Sequence, residues 1–311
     1  MHNISVSYSE KNKKEKNAVE NASFSLNEGE AVGLVGESGS GKSTLGNAII
    51  RSLEPPGRIT SGKILLDDQD ITKISDNDFN ENIRWKKIAM VFQGAMNSLD
   101  PVFSIEDQFK EIFIQHYGKN KYDKESIENS LLEVNLDKSI LKQYPHELSG
   151  GMKQRVIIAM ALILNPKILI ADEPTTALDV LIQAQIINLL KKLKTNEKKT
   201  IILITHDFGI VSELADWIAV MYAGQIVEFN RLGDIYSSPN HPYTQMLISN
   251  SPKFGSTFTE IKQTSLNEIE TKNLESGCRY YGRCPYAKEI CKQNPPLIKI
   301  NNGYVKCWLY E

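Results

Sequence analysis

The sequence predicts an α/β fold in which helices cover a largely parallel β-sheet. Short apolar runs alternate along the chain with longer segments of helical periodicity, which is the pattern of a sheet with helical connections. One apolar run leads into a glycine-rich loop that opens a helix, and another ends in two carboxylates. These observations together predict an α/β core.

Four buried strands and three helices are expected to build this core. The strands are predicted where the sequence is continuously apolar, at 31–35, 88–92, 168–171 and 201–204. The helices are predicted at 44–51, 152–164 and 181–193. The first of these helices is expected to end at the Pro-Pro-Gly turn that follows it.

A helical subdomain is expected to be inserted into the core over about 94–166. Strand signals vanish there, and helical stretches occur at 105–117 and 124–134. Further along the chain, residues 255–277 are polar and rich in Ser, Thr, Asn and Glu, which predicts a linker.

Charge and hydropathy argue against two classes of protein. Lys and Arg total 36 against 38 for Asp and Glu, for a net charge of -2 with both signs interspersed, so no nucleic-acid footprint is present. The longest apolar stretch, 156–164, is much shorter than the roughly 18 to 20 residues of a membrane-spanning helix. The N-terminus lacks a basic-then-apolar signal segment, which predicts a cytoplasmic protein.

A phosphate-binding loop is predicted at residues 36–44, GESGSGKST. The string matches G-x-x-x-x-G-K-[ST] between a strand and a helix, which is the context that the motif requires. Glycines let consecutive backbone N–H groups turn toward one anion, and the helix N-terminus adds partial positive charge. The expected nucleotide contacts are Gly36, Ser38, Gly39, Ser40, Gly41, Lys42, Ser43 and Thr44. In this motif the lysine reaches the β- and γ-phosphates of ATP and the serine hydroxyl binds Mg²⁺.

The carboxylates that complete such a site are predicted at the end of strand 168–171. Asp172 is expected to hold Mg²⁺, directly or through water, and Glu173 to orient or deprotonate the attacking water. An Asp-Glu pair after a strand is also common in solvated turns. The phosphate loop elsewhere in the chain favours the catalytic interpretation.

A second anion site is predicted at 148–155, LSGGMKQR, just before a helix. Ser149, Gly150 and Gly151 stand at the positive end of that helix, although a lone Ser is also an ordinary N-cap. Together with the phosphate loop, this string resembles the nucleotide-binding subunits of ATP-binding-cassette (ABC) transporters. The resemblance implies a P-loop NTPase fold and a head-to-tail dimer, in which each ATP lies between one subunit's phosphate loop and the other subunit's signature segment.

The same resemblance implies four further nucleotide contacts, each with a simpler alternative. Tyr8 is similar to the adenine-stacking aromatic residue, or it packs at a sheet edge. Gln93 is similar to the glutamine that senses Mg²⁺ and the attacking water, or it is a polar loop group. Asp179 is similar to an aspartate at the dimer contact, or it caps a helix. His206 is similar to the γ-phosphate switch, or it is a hydrogen-bonded histidine after a strand.

Residues 144–179 resemble the D-type ATPase of dipeptide, oligopeptide and nickel importers, which pairs with an F-type ATPase subunit. Met152, where many family members carry Gln, and the HPYT string at 241–244 favour this branch. The resemblance implies a peripheral ATPase at the cytoplasmic face of the cell membrane, working as a homodimer or heterodimer. It also implies two multi-span permease subunits and, indirectly, an extracytoplasmic substrate-binding protein.

A soluble ABC ATPase acting in translation or DNA repair is the alternative function. Proteins of translation usually carry two cassettes, and repair proteins insert long coiled coils. This chain has one cassette, and the interval of about 94–166 gives a helical subdomain of only about 70 residues. A transporter subunit is therefore favoured.

All four cysteines lie near the C-terminus, and they predict one local site. We expect a nucleotide-binding domain over 1–229 and a small extension over 230–311 that carries Cys278, Cys284, Cys291 and Cys307. Four thiolates suit an iron-sulfur cluster or tetrahedral zinc. The spacing lacks the Cys-x-x-Cys of zinc ribbons, and the extension resembles that of relatives with a [4Fe-4S] cluster. Such a cluster is expected ahead of Zn²⁺ or uncoordinated thiols.

Overall fold

The computed structural model describes residues 1–9, 16–118, 122–250 and 276–311. The chain divides into two compact units. The first unit contains Met1–Ser25, Val32–Gln69 and Ile204–Glu311, and the second contains Leu26–Ala31 and Asp70–Leu203. The linker predicted at 255–277 lies outside the described residues, apart from its last two positions.

The predicted α/β fold is confirmed. The strands are β1 His2–Tyr8, β2 Lys16–Ala22, β3 Ala31–Val35, β4 Gly57–Lys63, β5 Leu65–Leu66, β6 Gln69–Asp70, β7 Ile88–Val91, β8 Ile168–Asp172, β9 Thr200–Thr205, β10 Trp217–Tyr222, β11 Gln225–Arg231, β12 Leu297–Ile300 and β13 Gly303–Lys306. The α-helices are α1 Lys42–Ile49, α2 Asp76–Asn82, α3 Ile105–Tyr117, α4 Lys124–Glu133, α5 Gly150–Leu162, α6 Val180–Glu197, α7 Phe208–Leu214, α8 Leu232–Ser237 and α9 Pro242–Ser249.

Besides the short strand β5, which pairs with β6, the strands described in the first unit form two groups. Strands β2, β1 and β4 form a three-stranded antiparallel sheet in that order. In the second group β10 runs parallel to β3, while β11, β13 and β12 continue antiparallel from β10. The predicted parallel pairing is thus present between β3 and β10, and antiparallel strands extend it because β11 returns from β10 through a tight turn at Ala223 and Gly224.

The C-terminal tail joins the second group through β13. Glu228 pairs with Val305 and Phe229 with Tyr304. Gly303 makes this approach possible, since a Cβ atom on it would lie 1.8 Å from the carbonyl oxygen of Phe229. The tail that carries the cysteines is thus built into the sheet of the first unit.

The second unit combines short parallel strands with the predicted helices. Strand β7 runs parallel to β8, with Ile88 opposite Ile168, and β9 lies beside β8. Helices α3 and α4 fall almost where the sequence predicts them, and each begins at a side-chain cap, Ser104 and Asp123. Their inward faces are apolar and buried at Phe109, Ile112, Phe113, Ile127 and Leu131.

No helix within the described ranges is both long and apolar enough to cross a membrane. The longest, α6, has 18 residues and carries Lys and Glu near its C-terminus. The strongly apolar α5 has 13 residues.

Candidate nucleotide-binding site

The phosphate loop of the first unit connects β3 to α1 and depends on its glycines. Gly36, Gly39 and Gly41 have φ values of +153°, +76° and +101°, a region that favours glycine. A Cβ atom on Gly36 would lie 2.2 Å from the Met221 carbonyl oxygen, and one on Gly41 would lie 2.6 Å from that of Ala18. Alanine at either position would therefore displace the loop.

The positive charge of this loop comes from Lys42 and from the start of α1. The Lys42 side chain is buried, and its ammonium donates to the carbonyl oxygens of Gly36 at 2.8 Å and Glu37 at 2.9 Å. No side chain caps the first turn of α1, which contains Ser43 and Thr44. Because the leading N–H groups of a helix lack intrahelical partners, they are suited to bind an anion here.

The loop is also held from outside by residues late in the chain. The N–H of Glu37 donates to the hydroxyl of buried Tyr243 at 2.9 Å, and the Arg283 guanidinium forms two hydrogen bonds of 2.8 Å to the Glu37 carboxylate. Gly224 donates its N–H to the Ser40 carbonyl oxygen at 2.8 Å. Sequence reasoning assigned none of these contacts. A negatively charged residue, Glu37, inside a loop that binds phosphate could have indicated that a basic side chain lies beside it.

Tyr8 and His206 also belong to the first unit. Tyr8 ends β1 opposite Gly57, and a Cβ atom on that glycine would lie 2.6 Å from the Tyr8 ring. Because β1 is the central strand of its sheet, Tyr8 packs against β4 but does not lie on an edge strand, as the simpler alternative had it. His206 directly follows β9 and is exposed, and the next residue, Asp207, caps α7 through the N–H groups of Gly209 and Ile210.

The second unit places Gln93 and Glu173 in contact. Gln93 Nε2 donates to Glu173 Oε2 at 3.3 Å, and Thr176 Oγ1 donates to the same oxygen at 2.8 Å. Glu173 follows β8 with a φ of 45°, which is uncommon for a residue with a side chain. Asp172, at the end of β8, is buried. Sequence reasoning missed Thr176, although its spacing of three residues from Glu173 was a usable signal.

The signature segment and Asp179 begin two helices of the second unit. Ser149 caps α5 by accepting the N–H of Met152 at 3.3 Å, and Asp179 caps α6 by accepting the N–H of Ile182 at 3.0 Å. Gly151 lies against α6, since a Cβ atom on it would meet the Ile182 side chain at 2.8 Å, whereas Gly150 has ordinary room. The helix-cap alternatives for Ser149 and Asp179 are therefore present in the structure.

The four cysteines are free thiols, and the Cys307 side chain is buried. Burial is the main cause that raises the pKa of the Cys278 thiol to about 11; the backbone of Tyr280 opposes the shift and the nearby Cys307, Cys291 and Cys284 add to it. Across the described ranges, no group of three or more His, Cys, Asp or Glu side chains is arranged to hold a metal ion. The side-chain arrangement thus gives no support to the predicted iron-sulfur or zinc site.

Comparison with known proteins identifies two regions of the chain. Residues 19–176, about half of the chain, match the family model described as ABC transporter. Residues 227–291 match the model described as oligopeptide/dipeptide transporter, C-terminal region.

Two similar proteins cover nearly the whole chain. The oligopeptide transport ATP-binding protein AppD of Bacillus subtilis is 43% identical over 94% of this chain and 91% of its own length. The dipeptide transport ATP-binding protein DppD of Escherichia coli is 43% identical over 91% of this chain and 87% of its own length.

A solved structure supports the same relationship. The dimer of an ATP-binding cassette in a post-hydrolysis state, bound to ADP and phosphate, has a TM-score of 0.65 and 30% identity over 74% of this chain and 97% of the cassette. The phosphate loop, the Gln93–Glu173 pair and the near full-length relatives lead to one conclusion. The chain belongs to the ABC transporter family, as an ATP-hydrolysing ATP-binding subunit with the C-terminal region of oligopeptide/dipeptide transporters.

Proposed function

We propose that this ATPase energises the uptake of dipeptides or oligopeptides, or of a related small solute such as nickel, through separate membrane subunits. The observation that carries the proposal is the match of residues 227–291 to the C-terminal region of oligopeptide/dipeptide transporters. The relatives that span nearly all of the chain are named as oligopeptide or dipeptide transport ATP-binding proteins. A soluble ATPase of translation or DNA repair would share only the cassette.

The proposed catalytic roles follow the chemistry of the side chains. Lys42 and the N–H groups at the start of α1 bind the β- and γ-phosphates, and Tyr8 stacks on adenine. Glu173 orients or deprotonates the attacking water, with Gln93 and His206 assisting at the γ-phosphate. The oxygen atoms of the Ser43 hydroxyl, the Gln93 amide and the Asp172 carboxylate are the hard ligands that Mg²⁺ prefers, and Mg²⁺ supplies charge neutralisation on the phosphates.

We propose a head-to-tail dimer, either of two copies of this chain or with an F-type ATPase subunit. Ser149, Gly150 and Gly151 then contact the ATP of the partner, beside the dimer contact of Asp179. The apolar side chains that follow Asp179 support an interface, since Val180 is 81% and Leu181 is 69% exposed. The subunit works at the cytoplasmic face of the membrane.

The membrane partners are proposed to be two multi-span permease subunits, with an extracytoplasmic substrate-binding protein acting indirectly. A permease segment docks near 93–104, where Val102 and Phe103 are strongly exposed. We also propose that 1–229 is the nucleotide-binding domain, with its helical subdomain over 94–166, and that 230–311 is the transporter-specific extension.

Uptake measurements test the proposed cargo. In cells that lack this gene, uptake of labelled dipeptides and oligopeptides is expected to fall at least about tenfold, because most of the uptake would pass through this one carrier. Uptake is expected to return when the intact chain is supplied. Uptake of nickel, measured in parallel, identifies the alternative solute. Normal uptake of all these solutes would refute the importer function.

We further propose that Cys278, Cys284, Cys291 and Cys307 bind a [4Fe-4S] cluster. The support is the presence of all four cysteines of the chain in one C-terminal segment. Burial raises the pKa of the Cys278 thiol, and because thiol ligands bind metal as thiolates, cluster binding would have to lower this pKa.

Anaerobic purification tests the cluster. The expected result is broad visible absorption with about four iron atoms per chain, the stoichiometry of a [4Fe-4S] centre, lost in the Cys284→Ser variant. Cys284→Ser is matched by Ser249→Ala, a serine of α9 that is expected to keep the absorption. A colourless protein with one zinc per chain, or with no metal, would overturn the proposal.

A further inference from the structure

Glu37, the second residue of the phosphate loop, is held at three separate points. Its carboxylate receives the two hydrogen bonds from Arg283, its N–H donates to the Tyr243 hydroxyl, and its carbonyl oxygen accepts from Lys42. Two of the three contacts come from side chains more than 200 positions away in the sequence, with separations of 206 and 246 residues. The late part of the chain therefore fixes the backbone of the loop.

We propose that Arg283 and Tyr243 are positioning residues that set the affinity of the phosphate loop for ATP. The proposal rests on the proposed role of Lys42. When the Lys42 ammonium turns to the β- and γ-phosphates, it leaves the carbonyl oxygens of Gly36 and Glu37. Arg283 and Tyr243 are then the contacts that keep residue 37 in place.

Arg283 also affects ATP affinity through its charge. A carboxylate inside a loop that binds a triphosphate repels the ligand, because like charges a few ångströms apart interact unfavourably. The paired Arg283 guanidinium offsets the charge of Glu37, in the bidentate geometry that suits arginine and not lysine. Loss of Arg283 therefore removes an anchor and also exposes a negative charge to ATP.

The surroundings of Arg283 make it a rigid anchor. Tyr280 is buried, and its ring packs edge-on against Tyr222 with the centroids 5.1 Å apart. The Tyr243 ring lies tilted against it at a centroid distance of 5.4 Å. The Arg283 guanidinium lies 5.7 Å from the ring centroids of both Tyr222 and Tyr280. This aromatic cluster fixes the short segment from which Arg283 extends.

A second arginine of the same segment supports the far end of the loop. Arg279 forms an ion pair with Glu20 and donates to the carbonyl oxygen of Ala223. The adjacent Gly224 donates its N–H to the Ser40 carbonyl oxygen. Segment 279–283 thus braces the loop at residue 37 directly and at residue 40 through one turn.

Nucleotide titrations of the full chain test the proposal. The titrations use the Glu173→Gln background, so that ATP is not consumed, and Mg-ATP binding is measured by calorimetry. We expect Arg283→Gln to weaken binding about fivefold, near the upper end for an ion pair with a partly exposed carboxylate. Arg283→Lys, which keeps the charge but not the paired geometry, is expected to lose about twofold.

The variant Glu37→Gln separates this proposal from a merely structural role. Combining Glu37→Gln with Arg283→Gln removes the repelling charge together with its partner, so we expect the double variant to bind ATP better than Arg283→Gln alone. Lys292→Gln breaks an exposed ion pair of the same tail, with Glu289, and is expected to leave binding unchanged.

Three results would overturn the proposal. The first is unchanged affinity in both Arg283 variants, and the second is a double variant whose loss equals the product of the two single losses. The third is a lower melting temperature with unchanged affinity, which would assign Arg283 to stability alone. If Arg283→Gln does not fold, the ATP affinity of Arg283→Lys tests the proposal in its place, and an unchanged affinity of that variant would overturn it. Failure of Lys42→Met to weaken binding would instead refute the proposed role of Lys42, on which this proposal rests.

Discussion

The Glu173→Gln variant is expected to bind ATP normally and to hydrolyse it at least about 100-fold more slowly, a loss of roughly 2.7 kcal/mol of transition-state stabilisation. Glutamine has the size of glutamate and keeps an oxygen toward Gln93 and Thr176, which contact the carboxylate at 3.3 and 2.8 Å. It cannot accept a proton from the attacking water as the carboxylate can. Binding is retained because the proposed phosphate contacts are contributed by other residues.

Steady-state ATPase assays and ATP titrations on the same preparation measure the two effects separately. Glu289→Gln is the matched control, because it makes the same carboxylate-to-amide change at an exposed glutamate paired with Lys292. The control is expected to hydrolyse ATP at the parent rate. Turnover of Glu173→Gln within a few-fold of the parent rate would remove Glu173 from the reaction.

The buried strands and amphipathic helices could be predicted from the sequence because each has its own local signal. Strands β3, β7, β8 and β9 are buried almost throughout, so they appear as continuous apolar runs. Strand β12 alternates between exposed and partly buried residues, and β13 is mostly partly buried. Their position depends on the pairing of β13 with β11 and of β12 with β13. Such pairing is set by distant residues, which leave no local signal.

Two helices begin two residues earlier than the sequence predicts, and in both the capping residue explains the difference. The first helix begins at Lys42, two residues before the predicted start, because Gly41 takes a left-handed conformation and serves as its N-cap. The helix after the signature likewise begins at Gly150, because Ser149 supplies the cap. Apolar periodicity places the body of a helix, whereas a single capping residue decides where it begins.

The candidate site shows the same division between local and distant signals. The phosphate loop could be predicted because its glycines and Lys42 form one continuous string with a fixed geometry. The bond between Glu37 and Arg283 joins residues 246 positions apart, so no local pattern contains it. The cysteine spacing predicted a metal site that the side-chain arrangement does not support.

Lys42→Met is expected to weaken ATP binding at least about 100-fold, a free energy of roughly 2.7 kcal/mol. The methionine side chain is similar in shape but carries no charge, and it leaves the carbonyl oxygens of Gly36 and Glu37 without the ammonium that now binds them. Lys42 is only 6% exposed. The loss of its charge and the loss of its hydrogen bonds therefore both cost more than they would at the surface, because little water is present to replace them. Some loss of stability is therefore expected together with the loss of affinity.

A second buried lysine, Lys199, provides a control that distinguishes a loss of ATP affinity from a loss of stability. Lys199 is 5% exposed, and its ammonium contacts Asn165 and Glu197. Lys199→Met is therefore expected to lower the melting temperature while ATP binding stays near the parent value. Equal losses of affinity in the two variants, once both are confirmed as folded, would contradict a specific role of the Lys42 ammonium in phosphate binding. A loss confined to Lys42→Met, measured by calorimetry below the melting temperature, would assign the phosphate charge to this side chain.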